Sequence, residues 1–147
     1  MENKSICNVD NDGTKRWFMN GVLHREDGPA IEYHDGVKKW YLNGDLHRED
    51  GPAIEYTNGD TEWFINGIHH REDGPAIEFV DGTFFWIHRN KLHKLDGPAV
   101  KHSDGSSYWY IHGNDITRKI IQWSKENDID LDNLSEDDKL LIKLTWS

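Results

Sequence analysis

The chain has 147 residues, a formal net charge of −10 and one cysteine. That balance excludes a non-specific binder of nucleic acid or of an anionic membrane, which needs Lys and Arg to neutralise phosphate. A lone Cys7 excludes an intramolecular disulfide framework and a cysteine-based zinc site, and 12% aromatic residues exclude the aromatic-poor composition of a disordered chain.

The N-terminal stretch Met1-Glu2-Asn3-Lys4-Ser5 lacks the apolar segment of a signal peptide, and no later run approaches the roughly 18 apolar residues of a membrane span. The expected compartment is therefore a reducing cytoplasm. Residues 1–11 read as an N-terminal edge segment, with Ile6, Cys7 and Val9 able to form a degenerate edge strand.

From residue 12 the same words return every 23 residues: His24 to Tyr33, His47 to Tyr56, His70 to Phe79 and His93 to His102. A fixed period of this size marks an array of supersecondary units. The units run 12–34, 35–57, 58–80 and 81–103, and a half unit ends at Gly113. Five of the seven Trp fall on the period, at Trp17, Trp40, Trp63, Trp86 and Trp109. Asp35-Gly36 and Asn43-Gly44 predict two hairpin turns per unit, since these residues tolerate the positive φ of a type I′ turn. Between them, Val37 to Leu42 alternates as a strand, with Trp40 and Leu42 on one face and Tyr41 on the other. Ala53 to Tyr56 is the second strand, and Asn43 to Pro52 is a long irregular connection in which Gly51 permits a turn. The fold class is mainly β: a single-layer antiparallel meander of repeated β-hairpins over residues 12–113.

The fourth unit departs from the pattern. His88-Arg89-Asn90 replaces the apolar-Asn-Gly sequence, and Leu95 replaces Glu. Asn90 still tolerates positive φ, which keeps the turn. Beyond Gly113 the apolar period changes from two to about 3.6, with Ile116, Ile120, Ile121 and Trp123 at helical spacing. Ser135 and Asp138 form a short-acid capping box, and Leu140, Leu141, Leu144 and Trp146 supply an apolar face. Residues 114–147 are thus expected to be a two-helix cap over the open end of the sheet.

At Trp40-Tyr41-Leu42-Asn43-Gly44-Asp45-Leu46-His47, followed by a Gly turn and Tyr56-Thr57-Asn58-Gly59, the unit resembles a MORN repeat. The resemblance covers residues 12–113. Arg48-Glu49-Asp50-Gly51-Pro52 departs from the usual His-Gly-x-Gly. The resulting Trp-x-x-Asn-Gly-x-x-His-Arg-x-Asp-Gly-Pro-Ala form is similar to a variant in phage, giant-virus and bacterial proteins. The resemblance implies a curved single-layer sheet used for protein or lipid contacts, and no catalytic residue.

The recurring His24, His47, His70 and His93 suggest a metal ladder, but equivalent residues in adjacent units should lie roughly 9.5 Å apart, too far to share an ion. A pair within one unit has too few ligands, so these His are expected to bond turn backbone. Asp128 to Asn133 resembles the opening of a calcium loop, but Asn133 and Lys139 replace its Gly and Glu. No metal or cofactor is expected, and identical copies on a regular sheet argue against an enzyme. The second aromatic row, Phe18, Tyr41, Phe64, Ile87 and Tyr110, is expected on the face opposite Trp as an apolar strip for a partner. Arg25, Arg48 and Arg71, with Glu49 and Glu72, would complete that contact.

The sequence therefore reads as a non-enzymatic protein-interaction module with no direct nucleic-acid binding. The alternative is a phage or viral inhibitor of host defence, acting in host cytoplasm on a nucleic-acid-binding enzyme or by sequestering a small nucleotide. A third reading is a homo-oligomer assembled through the first unit's exposed strand edge.

Overall fold

The structure is a computed structural model that describes residues 4–147. Residues 1–3, the start of the expected edge segment, lie outside the described residues. Among the described residues no helix is long and apolar enough to cross a membrane.

The expected antiparallel meander is present. An 11-stranded sheet runs from Ile6–Val9 at one edge to Ser107–Tyr108 at the other, and each full unit after the first adds two strands. The second unit contributes Lys38–Lys39 and Ile54–Glu55, paired as Lys39 with Ile54 and Lys38 with Glu55. The edge strand Ile6–Val9 pairs antiparallel with Lys15–Met19, and its own four residues are exposed.

The continuous strand expected over Val37–Leu42 is instead broken at Trp40. Lys38–Lys39 stays in the main sheet, whereas Tyr41–Leu42 pairs with Asp45–Leu46 in a separate two-stranded ribbon. Trp40 is the corner: its N–H donates to the Ala53 carbonyl at 2.8 Å, and its carbonyl accepts from the His47 N–H at 3.1 Å. Each backbone group thus serves a different partner, and no polar group is stranded at the break. The same break recurs at Trp63, Trp86 and Trp109, whereas Lys15–Met19 runs through Trp17 unbroken. The ribbon also occupies part of the connection read as irregular, which shrinks to the residues after Leu46.

The ribbons stack on one another across unit boundaries. Gly44 N–H donates to the Leu23 carbonyl at 2.8 Å, and Gly67 N–H to the Leu46 carbonyl at 2.9 Å. Asn43 and Gly44 both have positive φ, 53° and 93°, as a type I′ turn requires. The other expected type I′ turn is different. Only Gly36 is left-handed there, and its N–H donates to the Tyr33 carbonyl at 2.9 Å. That is a type I turn closed by a left-handed glycine. In the fourth unit the turn survives as Arg89-Asn90, with φ of 50° and 60°. A left-handed Arg carries backbone strain that Asn-Gly avoids.

Packing follows the period. Ala30, Ala53, Ala76 and Ala99 are buried, because each lies where a Trp amide reaches its carbonyl. Ala53, Ile54 and Phe64 form one core cluster, flanked by Val37, Trp40, Leu46 and Tyr56. At the C-terminal end the two helices close the array. Helix α1 is Thr117–Glu126 and α2 is Glu136–Trp146, the latter opened by the expected capping box between Ser135 and Asp138. The strand pair Tyr110–Ile111 with Asn114–Asp115 carries the last ribbon two residues past Gly113. The buried cap residues are Trp109, Ile111, Ile116, Ile120 and Ile142. The face of α2 therefore differs from expectation: Ile142 is buried, and Leu140, Leu141 and Leu144 are exposed. The apolar positions of α2 form a band wider than the contact, and tertiary docking chose which side turns inward. Leu95, the apolar substitution in the fourth unit, packs against this cluster, and Lys143 of α2 pairs with Asp96 at 3.1 Å.

Candidate functional site

The recurrent loop is built around its arginine. In the second unit the Arg48 guanidinium lies 4.1 Å from the Trp40 ring centroid, and its Nε donates to Asp50 Oδ1 at 2.9 Å. Its Nη1 donates to the Pro52 carbonyl at 3.2 Å and to Glu55 Oε1 at 2.8 Å. Arg25 and Arg71 repeat the arrangement over Trp17 and Trp63 at 4.0 and 4.1 Å. The opposite wall is Gly51, where an added Cβ would meet Arg48 Cζ at 2.6 Å. Gly51 is not left-handed. It is glycine because the guanidinium fills the space a side chain needs, which corrects the turn role read from sequence. The Arg25 and Arg48 guanidinium hydrogen bonds hold Asp27 and Asp50 below the usual carboxylate range. In the fourth unit Lys94 covers Trp86 at 4.1 Å, with its amine pushed down mainly by burial. In the half unit the helical cap buries Trp109 instead.

The recurring histidines join adjacent units. The Asn43 N–H donates to His24 Nδ1 at 3.0 Å, and the Asn66 N–H to His47 Nδ1 at 3.2 Å. The Arg89 N–H donates to His70 Nδ1 at 3.2 Å, and the His112 N–H to His93 Nδ1 at 3.1 Å. A backbone amide can only donate, so at His70 and His93, where the amide is the Nδ1 partner, Nδ1 is the unprotonated nitrogen and Nε2 of the neutral ring carries the hydrogen. Nε2 faces a carboxylate of its own loop: Glu26 at 3.6 Å, Glu49 at 3.7 Å and Glu72 at 3.6 Å. The expected bond to turn backbone is therefore present, with the turn belonging to the next unit.

The candidate contact residues separate into two groups. Arg25, Arg48 and Arg71 are about four-fifths covered and fully engaged within the loop. Glu49 and Glu72 stand out into solvent at 84% and 79% exposure, and Glu26, Asp27, Asp50 and Asp73 match them. The loops of the first and second units border one groove, and those of the second and third border the next. The six carboxylates therefore lie on one side, one pair per unit.

The second aromatic row does not form the open strip expected from alternation. Phe64 is buried, and Phe18, Tyr41 and Tyr110 are half-buried. The physical reason from the second unit on is the break at Trp: the row there lies in the ribbons, which stack on one another and cover it, whereas Phe18 sits on the unbroken strand between Ile6 and Leu23. Phe64 packs its ring 3.9 Å from that of His69.

The fourth unit and the half unit after it hold residues that the repeat pattern did not single out as functional. His88 takes the position of Leu42 and Ile65, and His112 that of Asn43 and Asn66. His88 lies 4.7 Å, centroid to centroid, from His70, and His93 stacks on His112 at 4.2 Å. His70, Glu72 and His88 bring potential ligand atoms within 4.8 Å of one another. The 9.5 Å objection holds for equivalent histidines, but His88 is not one of them. Burial, followed by His70 and Arg89, lowers the basicity of His88. The signal in the sequence was the departure from the repeat itself.

No family model matches this chain, and none of the curated proteins does.

Proposed function

We propose that the protein is a non-catalytic binding module that presents its periodic acidic edge to a basic surface on a partner protein. The observation behind this reading is the row Glu26, Asp27, Glu49, Asp50, Glu72 and Asp73, whose side chains are 79–86% exposed. Arg25, Arg48 and Arg71 each pair with the Asp of their own loop, and Glu26, Glu49 and Glu72 add a further negative charge per unit beyond that pair. Two strands per unit set the carboxylate pairs at a pitch of roughly 9.5 Å. Such a row favours association with cationic surfaces, with a strong salt dependence. The resemblance to MORN repeats is consistent with a scaffold that displays loops.

The same row supports a second reading, an inhibitor of host defence that occupies the basic groove of a nucleic-acid-binding enzyme. Sequestration of a nucleotide fares worse, because a phosphate would meet this acidic rim. The partner is identified by native mass spectrometry of protein purified gently from its host. Binding is then compared with the triple variant Glu26→Gln, Glu49→Gln and Glu72→Gln at low and high salt. The proposal expects the variant and the high-salt sample to lose the partner. Retention in both refutes it.

A further inference from the structure

We propose that His70, Glu72 and His88 form a binding site for one divalent zinc-class ion, separate from the acidic-edge function above. The pair His70 Nε2 and Glu72 Oε1 is 3.6 Å apart. Two ligands on one tetrahedral ion with bonds of about 2.1 Å sit roughly 3.4 Å apart, so this pair needs little movement. His88 supplies the third ligand within 4.8 Å. A water completes the tetrahedron, as in other three-ligand sites. Imidazole with carboxylate is the donor set that zinc and its neighbours accept.

The repeat contains its own negative controls. His24 with Glu26 and His47 with Glu49 reproduce the His–Glu pair at 3.6 and 3.7 Å. Their third position is Leu42 or Ile65, which has no donor atom. Only the junction between the third and fourth units adds His88. The neighbouring turn differs in the same place. Asn Oδ1 lies 3.0 Å from His24 Nδ1 and 2.8 Å from His47 Nδ1, whereas Arg89 takes the corresponding position beside His70. His70 is held there by one amide bond of 3.2 Å.

The proton balance is definite. In the free protein His70 Nε2 carries the hydrogen and Nδ1 accepts from Arg89. Coordination through Nε2 moves that hydrogen to Nδ1, so the ring stays neutral and the Arg89 amide bond is given up. With Glu72 binding as its carboxylate and His88 as a neutral ring, no net proton leaves. Charges that oppose the ion are Arg89, Arg71, Lys94 and Lys143, with Asp73 and Asp96 on the favourable side of the same groove.

The test titrates the full chain with Co²⁺, read by visible absorption, and with Zn²⁺, read by calorimetry. The expected result is one ion per chain with a tetrahedral cobalt spectrum and a shifted Arg89 amide resonance. His88→Leu installs the side chain of the second unit and should weaken binding at least about tenfold, since even ligand-supporting contacts contribute that much. Glu72→Gln alters an exposed side chain, so it reports on binding even if His88→Leu disturbs folding, and it should weaken binding similarly. His112→Asn installs the residue of earlier turns and should leave binding unchanged. Absence of binding, equal binding by His88→Leu and Glu72→Gln, or a loss in His112→Asn as large as in His88→Leu each overturns the assignment.

Discussion

Gly51→Ala separates the two roles a glycine can have. At a position that is not left-handed, Gly→Ala ordinarily stabilises a protein by about 0.4–1 kcal/mol, by restricting the unfolded chain. Here the new Cβ would lie 2.6 Å from Arg48 Cζ and 2.8 Å from its Nε, so the guanidinium must leave. It gives up the stack on Trp40, of about 0.5–2 kcal/mol. It also gives up the hydrogen bond to the Pro52 carbonyl, of about 1.5 kcal/mol. The Glu55 pair, with an acid side chain 39% exposed, adds about 0.2–1 kcal/mol after solvent screening. Against the entropic gain, the net is a destabilisation of about 1–4 kcal/mol. Urea unfolding measures it, and the decisive comparison is with the same substitution in an Arg48→Ala background. There Gly51→Ala should become neutral or stabilising. Gly97→Ala should cost least of the four equivalents, because its Cβ would come no closer than 3.2 Å to Lys94. A stabilised Gly51→Ala, or a cost that persists without Arg48, refutes the sandwich.

Stability should also fall as pH drops below neutral. Burial, then His112 and His88, hold His93 below its ordinary value of 6.5, and burial lowers His88 likewise. The unfolded chain then binds more protons than the folded chain between the two values, so stability rises with pH across that window. It is complete above about 6.5 and lost as pH falls through the lowered folded values. Urea midpoints near pH 7.5 and pH 5 measure the difference; it should shrink in His88→Leu with His93→Asn, and an equal slope in that variant contradicts the assignment. At the cap, Ile142 is fully buried beside Trp109, so Ile142→Ala should cost about 2–4 kcal/mol. Leu144→Ala, 73% exposed, should be near neutral, and equal costs by thermal unfolding would return the buried face of α2 to the leucines.

The sequence alone determined the period, the left-handed Asn43-Gly44 turn, the meander and the helical C-terminal end. Each rests on local chemistry, the positive φ that Asn-Gly tolerates or a change of apolar period, which a linear chain displays directly. The backbone bonding of the histidines was legible in kind, though their partner 19 residues ahead was not. Only the tertiary structure decided that the strand breaks at Trp40, since alternation of two looks the same whether a strand keeps its partners or exchanges them midway. The burial of Phe64 followed from that exchange. The role of Gly51 as the floor beneath a guanidinium required knowing where Arg48 turns back, and a sequence shows glycine without showing what fills its empty space. The meeting of His70 with His88 is of the same kind: 18 residues separate them in the chain, and the stacking of one ribbon on the next brings their rings to 4.7 Å.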